Sequence, residues 1–426
     1  MSLRDYWLRE GTPERALALR FAFFGVLALD QWAQLAHLAR YGAGNFNVSH
    51  LQFLDGVIPV PERGLMVGLV LLQIVLAVRC ALGIRLRLSA PLLAGGYAVT
   101  YFWSQLDSYQ HHYLVVVLVF VFGAAVLLEP SDDTLPPWSL RLVRWILAIM
   151  YLYAAIAKME PAWLDGTTLR SALSSEWGQQ AAQSLAQAMG VELLDVLSSG
   201  AWAAVGMELV LAVTLLIPRT RTFGWVLGLL FHLSVEVLEF RIGLFSYFMA
   251  GLYLLYAPRG MVRAAVRTLQ AWLPSPGEAN VGATIAGAAV VALAVAWLPL
   301  EGALGVGVVA FLLLSWPTLP LRDGLAQGLA AALLVGLAVG TDTLRDYYKY
   351  WGGDTRRRGP VDEAIMAYEH VVELDPAYVS GHLRLGDLYL RVGRKDEARA
   401  EYEEALIVEP GNSAAQERLE GLGGLP

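Results

Sequence analysis

His112-Tyr-Leu-Val-Val-Val-Leu-Val-Phe-Val-Phe-Gly-Ala-Ala-Val-Leu-Leu-Glu129 holds sixteen residues between its histidine and its glutamate without one charge. A helix needs roughly 20 apolar residues to cross the hydrocarbon of a bilayer, with a working range of about 17–25. This stretch passes, and reading outward from it finds others. They lie near 16–38, 64–84, 88–106, 140–158, 201–217, 222–239, 244–257, 281–299, 303–318 and 323–340. That makes about eleven spans by hydropathy. The sequence therefore predicts an all-α fold, a polytopic transmembrane helical bundle. Glu236, Glu239 and Arg241 interrupt the pair 222–257. The segment 160–200 is too polar to cross and reads as a loop with amphipathic helices at one surface.

Composition agrees. Of 426 residues, 56% are hydrophobic and 16% charged, against about 25% charged in a soluble domain. The 13 Trp and 18 Tyr suit the aromatic belts of membrane interfaces. Charge is concentrated at the end: from Asp354 onward the chain carries 15 acidic and 9 basic residues. A long apolar body thus precedes a short, soluble, acidic tail. The expected surroundings are a lipid bilayer and no nucleic acid, because the net charge of −7 offers no basic surface. A single cysteine, Cys80, excludes an intramolecular disulfide. Mixed charges from Arg4 to Arg15, with no small-residue cleavage site after the first apolar run, predict a retained anchor.

Loop arginines set the expected orientation. Arg4, Arg9, Arg15 and Arg20, then Arg85 and Arg87, Arg141 and Arg144, Arg219 and Arg221, Arg259, Arg263 and Arg267, and Arg322 all fall on one side of the predicted spans. The positive-inside rule makes that side cytoplasmic. An odd number of spans then exports the tail, periplasmic or lumenal, together with Asp107–His112 and the loop 160–200.

The tail repeats itself with an offset of 34: Asp362-Glu363-Ala364 returns as Asp396-Glu397-Ala398, Tyr368 as Tyr402, and Asp375-Pro376 as Glu409-Pro410. That period, with a small residue, an aromatic and a closing proline, is the pattern of a tetratricopeptide (TPR) repeat. Small residues let two helices approach, aromatics fill the groove and proline ends the second helix. Two repeats are fewer than the three or so that stand alone, so the tail is expected to lean on the membrane body, a second copy or a partner.

Ionisable residues inside apolar spans are expensive and mark candidate sites. In Asp107–Tyr113, adjacent histidines point about 100° apart on a helix, so they do not form an i, i+4 ligand pair. No metal is expected, and anchoring at the interface and participation in a site both remain open for His111 and His112. Lys158 ends the fifth predicted span. It either snorkels to the interface or is a desolvated amine serving as general base. Tyr151, Ala154, Ala155 and Lys158 share one helical face. His232 and Glu236 are one turn apart, which also suits a buried histidine bonded to a carboxylate.

Together these segments resemble the vitamin K-dependent γ-carboxylase family, also called HTTM (horizontally transferred transmembrane) proteins. The resemblance runs from about Pro13 to Pro258. It is carried by Arg20–Asp30, Leu82-Gly-Ile-Arg-Leu-Arg87, Gln110-His-His-Tyr-Leu114, Ala155-Ile-Ala-Lys158-Met-Glu-Pro-Ala-Trp163-Leu-Asp-Gly166, Phe231-His232 and Ile242-Gly-Leu-Phe-Ser-Tyr247. It implies oxygenation of vitamin K hydroquinone or a related quinol with O2. The strong base formed removes a glutamyl γ-proton, and CO2 adds to the carbanion. It implies Lys158 as the base that deprotonates the quinol, the Asn-His pair of the family at Gln110-His111, and His112, His232 and Tyr247 among the residues at the quinol. Three departures stand out: Gln110 replaces asparagine, the doubled lysine is single, and the large β-rich substrate domain is absent. The expected organisation is a carboxylase-like bundle at 13–258, further spans at 275–340, two TPR repeats at 345–412 and a cap at 413–426. The repeats are expected to engage a protein substrate or partner. A non-catalytic membrane scaffold that recruits a partner through them is the alternative.

Overall fold

The computed structural model describes residues 12–40, 62–103, 110–129, 135–173, 175–238, 244–270 and 343–423. Those residues form helices and turns, with no strand among them. The first is α1 (Pro13–Gln34), continued by a 3-10 turn, Leu35–Arg40. Then come α2 (Arg63–Leu82), α3 (Leu86–Trp103), α4 (Gln110–Leu128) and α5 (Pro137–Ala157). Two short helices, α6 (Pro161–Leu164) and α7 (Thr167–Ala172), precede α8 (Glu176–Met189) and α9 (Leu193–Thr214). The body closes with α10 (Arg221–Val237), α11 (Phe245–Tyr253) and α12 (Arg259–Gln270). The tail comprises α13 (Thr343–Arg358), α14 (Val361–Leu374), α15 (Val379–Arg391), α16 (Lys395–Val408) and α17 (Ser413–Gly421).

Helix starts carry their local signals. Thr12 Oγ1 accepts the Arg15 N–H at 3.4 Å and Pro13 occupies the first turn of α1, where a missing N–H costs nothing. Ser175 caps α8, and a reciprocal Glu192/Asp195 pair caps α9.

Four described helices are long and apolar enough to cross a membrane: Pro13–Leu38, Arg63–Leu82, Pro137–Ala157 and Leu193–Thr214. This corrects the expectation of about eleven. The predicted spans 281–299, 303–318 and 323–340, and the whole segment 275–340, lie outside the described residues. Within the described part, the apolar length of the segment that opened the reading is only His112–Leu128. The charge-interrupted pair becomes α10 and a nine-residue α11. At 1.5 Å per residue α11 extends only about 14 Å, roughly half the hydrocarbon.

The bundle core joins α1 to α2, α3, α4, α5, α9 and α11. Its centre is aromatic: the Phe23 ring lies 5.1 Å from Phe122 and 5.6 Å from Phe248. Arginines gather at one end. Arg20 lies against Gly83 in the α2–α3 turn. Arg144 and Arg15 donate to the carbonyls of Leu255 and Ala257, at 3.0 and 2.8 Å.

The tail does lean on the body. Helix α13 packs against the 3-10 turn after α1. The His37 and Tyr350 rings meet at 5.1 Å, and the Arg63 guanidinium lies 3.6 Å over Trp351. Trp32, Leu35, Leu38, Met66, Tyr347 and Tyr348 are all buried in the shared cluster. Inside the repeats the glycine–aromatic logic is literal. A Cβ on Gly352 would come within 2.8 Å of the Tyr368 ring, and one on Gly386 would strike Tyr402.

Candidate functional site

Lys158 is the C-terminal cap of α5, so its side chain leaves the helix where intrahelical bonding stops. It turns inward rather than out toward lipid. Nζ lies 2.8 Å from Glu208 Oε1 on α9, and the side chains are 22% and 6% exposed. The Trp163 ring closes over the ammonium at 5.4 Å. An almost dry carboxylate against a partly wet amine is a pair that costs much to break.

The rest of the lysine motif holds the chain in place. Gly166 has φ +86°, and a Cβ there would meet Ser198 N at 2.7 Å, so a side chain would both strain the turn and push α9 away. Ser198 Oγ donates to the Leu164 carbonyl at 2.6 Å. The Thr167 N–H donates to Asp165 Oδ1 at 2.8 Å and holds that carboxyl below its ordinary value. The Trp-x-x-Gly part of the motif thus fastens the α6–α7 turn onto α9, which carries Glu208.

One face of α5 also carries Tyr151, as its spacing requires. The Tyr151 hydroxyl is 2.8 Å from His232 Nε2 on α10 and 2.5 Å from the Tyr253 hydroxyl on α11. The polar face of α5 thus carries two groups, Lys158 with Glu208 of α9 and, two turns earlier, Tyr151 with His232 of α10 and Tyr253 of α11. Two of their buried atoms have no partner among the described residues, Glu208 Oε2 and His232 Nδ1.

The other predicted residues go elsewhere. His112 is buried and turns to α1: its Nε2 lies 3.3 Å from Gln34 Nε2 and 3.7 Å from Asp30 Oδ2. Tyr247 is half exposed on α11, and Tyr253 takes the inward position. The His232 bond goes to Tyr151 rather than to Glu236, the carboxylate one turn away. Gln110 and His111 open α4, and their side chains lie outside the described residues.

Glu208 escaped the sequence reading, yet its signal was present. It is the only ionisable residue in Ala201–Ile217, the same criterion that singled out Lys158. Tyr253 had no comparable signal, because tyrosine is common at membrane interfaces.

A helical body with four membrane-length helices, a lysine–carboxylate pair and a docked repeat tail fits a membrane protein. The HTTM domain family matches residues 10–259, more than half of the chain, and the chain belongs to that family. Residues 357–420 match the tetratricopeptide repeat. No solved structure matches the chain.

Proposed function

We propose that this protein is a membrane enzyme of the γ-carboxylase type, in which oxygenation of a quinol drives carboxylation of glutamyl groups at the exported end of the bundle. The observation that carries the reading is the inward turn of Lys158 onto Glu208, 2.8 Å apart with the carboxylate almost dry. As base, Nζ takes the quinol's proton, an O–H bond breaking as an N–H bond forms, and Glu208 Oε1 holds the ammonium that results. The unpartnered Glu208 Oε2 accepts and His232 Nδ1 accepts or donates according to tautomer. A phenolic hydroxyl, which does both, fits such a pair, and vitamin K hydroquinone or a related quinol carries one. When bound, the quinol with O2 supplies the strong base that carboxylation by CO2 requires.

The test uses purified protein in nanodiscs with reduced vitamin K, O2 and labelled bicarbonate. Epoxide should form, and Lys158→Ala should abolish it. No epoxide from the wild type with vitamin K, menaquinol or ubiquinol would sink the reading. A second reading, a scaffold whose repeats recruit a partner, is favoured by the fixed docking of α13 on the body. It wins if no quinol turns over while partner binding depends on the tail.

A further inference from the structure

The two repeats separate their charge. Their first helices, α13 and α15, carry seven Arg or Lys against three Asp. Their second helices, α14 and α16, carry nine Asp or Glu against two Arg or Lys. The basic helices are not neutralised from within. Asp346 is taken by Arg345 and Lys349, at 3.0 and 2.6 Å, and Asp387 by Arg418 at 2.7 Å. Asp354 is the one remaining counter-charge on α13.

Arg356, Arg357, Arg384 and Arg391 are left without a carboxylate partner among the described residues. Arg384 and Arg391 stand seven residues apart, on one face of α15. Arg391 Nη1 donates to the Arg356 carbonyl at 3.1 Å. Arg356 Nε is itself buried and without a partner. Like charges gathered at a helix seam repel one another, and guanidinium forks match carboxylates in shape and charge.

The seam also has a place. Helix α13 is fixed to the 3-10 turn that extends α1, and Gln34, the last residue of α1, reaches His112 at the start of α4. Arg15 at the start of α1 and Arg144 in the first half of α5 meet the same turn at Leu255 and Ala257, so α5 runs in the direction of α1 and ends, at Lys158, toward the end of α1 that α13 covers. A segment held on α13 and α15 therefore lies at the lysine end of the bundle.

We propose that the arginine seam between the first helices of the two repeats binds a glutamate-rich peptide segment. That this segment is the acceptor to be carboxylated rests on the function proposed above. The binding rests on the charge arrangement alone.

The full chain in nanodiscs of uncharged lipid is titrated with a fluorescent oligoglutamate peptide, with oligoglutamine as control and no quinol present. Oligoglutamate should bind in a salt-sensitive way and oligoglutamine should not. Arg356→Gln/Arg384→Gln/Arg391→Gln should weaken binding by about tenfold. The matching triple Lys variant should keep most of it. Melting curves of both variants separate lost contacts from lost fold. Oligoglutamate binding no tighter than oligoglutamine, or unchanged in the Gln variant, overturns the proposal. So does capture of anionic phospholipid vesicles through these arginines without oligoglutamate binding. A protein that binds oligoglutamate yet makes no epoxide upholds the peptide site and removes the reaction.

Discussion

The membrane body and the repeat tail use polar side chains in opposite ways. In the body they are few and sunk among apolar helices, as Lys158 and Glu208 are between α5 and α9. In the tail they are dense and half in water, and the packing is done by Gly352 under Tyr368 and Gly386 under Tyr402. A lost partner should therefore be costly in the body and cheap on the surface of the tail. Shape should matter more than charge inside the repeats.

The largest effect should come from breaking the body pair. Lys158→Ala leaves the Glu208 carboxylate buried and alone, and should destabilise the protein by about 3 kcal/mol. Thermal denaturation of purified protein measures it, and Lys158→Met/Glu208→Gln should recover most of the loss without recovering activity. If both variants melt like the wild type, the contrast between the two regions collapses.

Next is Gly386→Ala. The added methyl group strikes the Tyr402 ring and should cost about 2 kcal/mol by overpacking. Protease resistance of the tail reads this out while the body stays intact.

A smaller effect comes from His382, whose Nδ1 faces Glu401 Oε2 at 2.8 Å and whose Nε2 faces the Pro376 carbonyl at 2.9 Å. Both neighbours are acceptors, so only the imidazolium satisfies both. The hydrogen bond to Glu401 is the main cause that raises its pKa above the ordinary 6.5, aided by Pro376 and the charge of Glu404 and opposed by burial. A raised value in the folded state means that the contribution is full below pH 6.5 and fades as pH rises through the folded value. Repeat stability should fall by about 1 kcal/mol across that window, and His382→Gln should flatten the dependence. The smallest effect belongs to Glu397, exposed and 2.8 Å from Arg394. Glu397→Gln should leave the melting temperature unchanged, because water already screens the pair.

Much of this was legible in advance, but unevenly. The repeats were readable nearly residue by residue, because their spacing and their packing are the same local fact. The site was readable in part. Lys158 announced itself as a charge in an apolar run, and so did Glu208, but nothing along the chain said that they were partners 50 residues apart. His112 and His111 looked alike as neighbours; the fold turns His112 to Asp30 on α1. Hydropathy counted segments by composition, and among the described residues only four helices are long and apolar enough to cross. A short helix such as α11 packs against α1 and α10, and its apolar residues serve that contact.

The sequence by itself determined the helical class, the apolar body, the repeat period and the family, since each is a property of spacing and composition along the chain. Only the tertiary structure decided that Lys158 faces Glu208 rather than lipid, that Tyr151 joins His232 to Tyr253, and that the tail rests on the end of α1. Direction is the physical reason. A helix fixes which residues share a face, but which neighbour that face meets is set by how the helices pack around Phe23, Phe122 and Phe248.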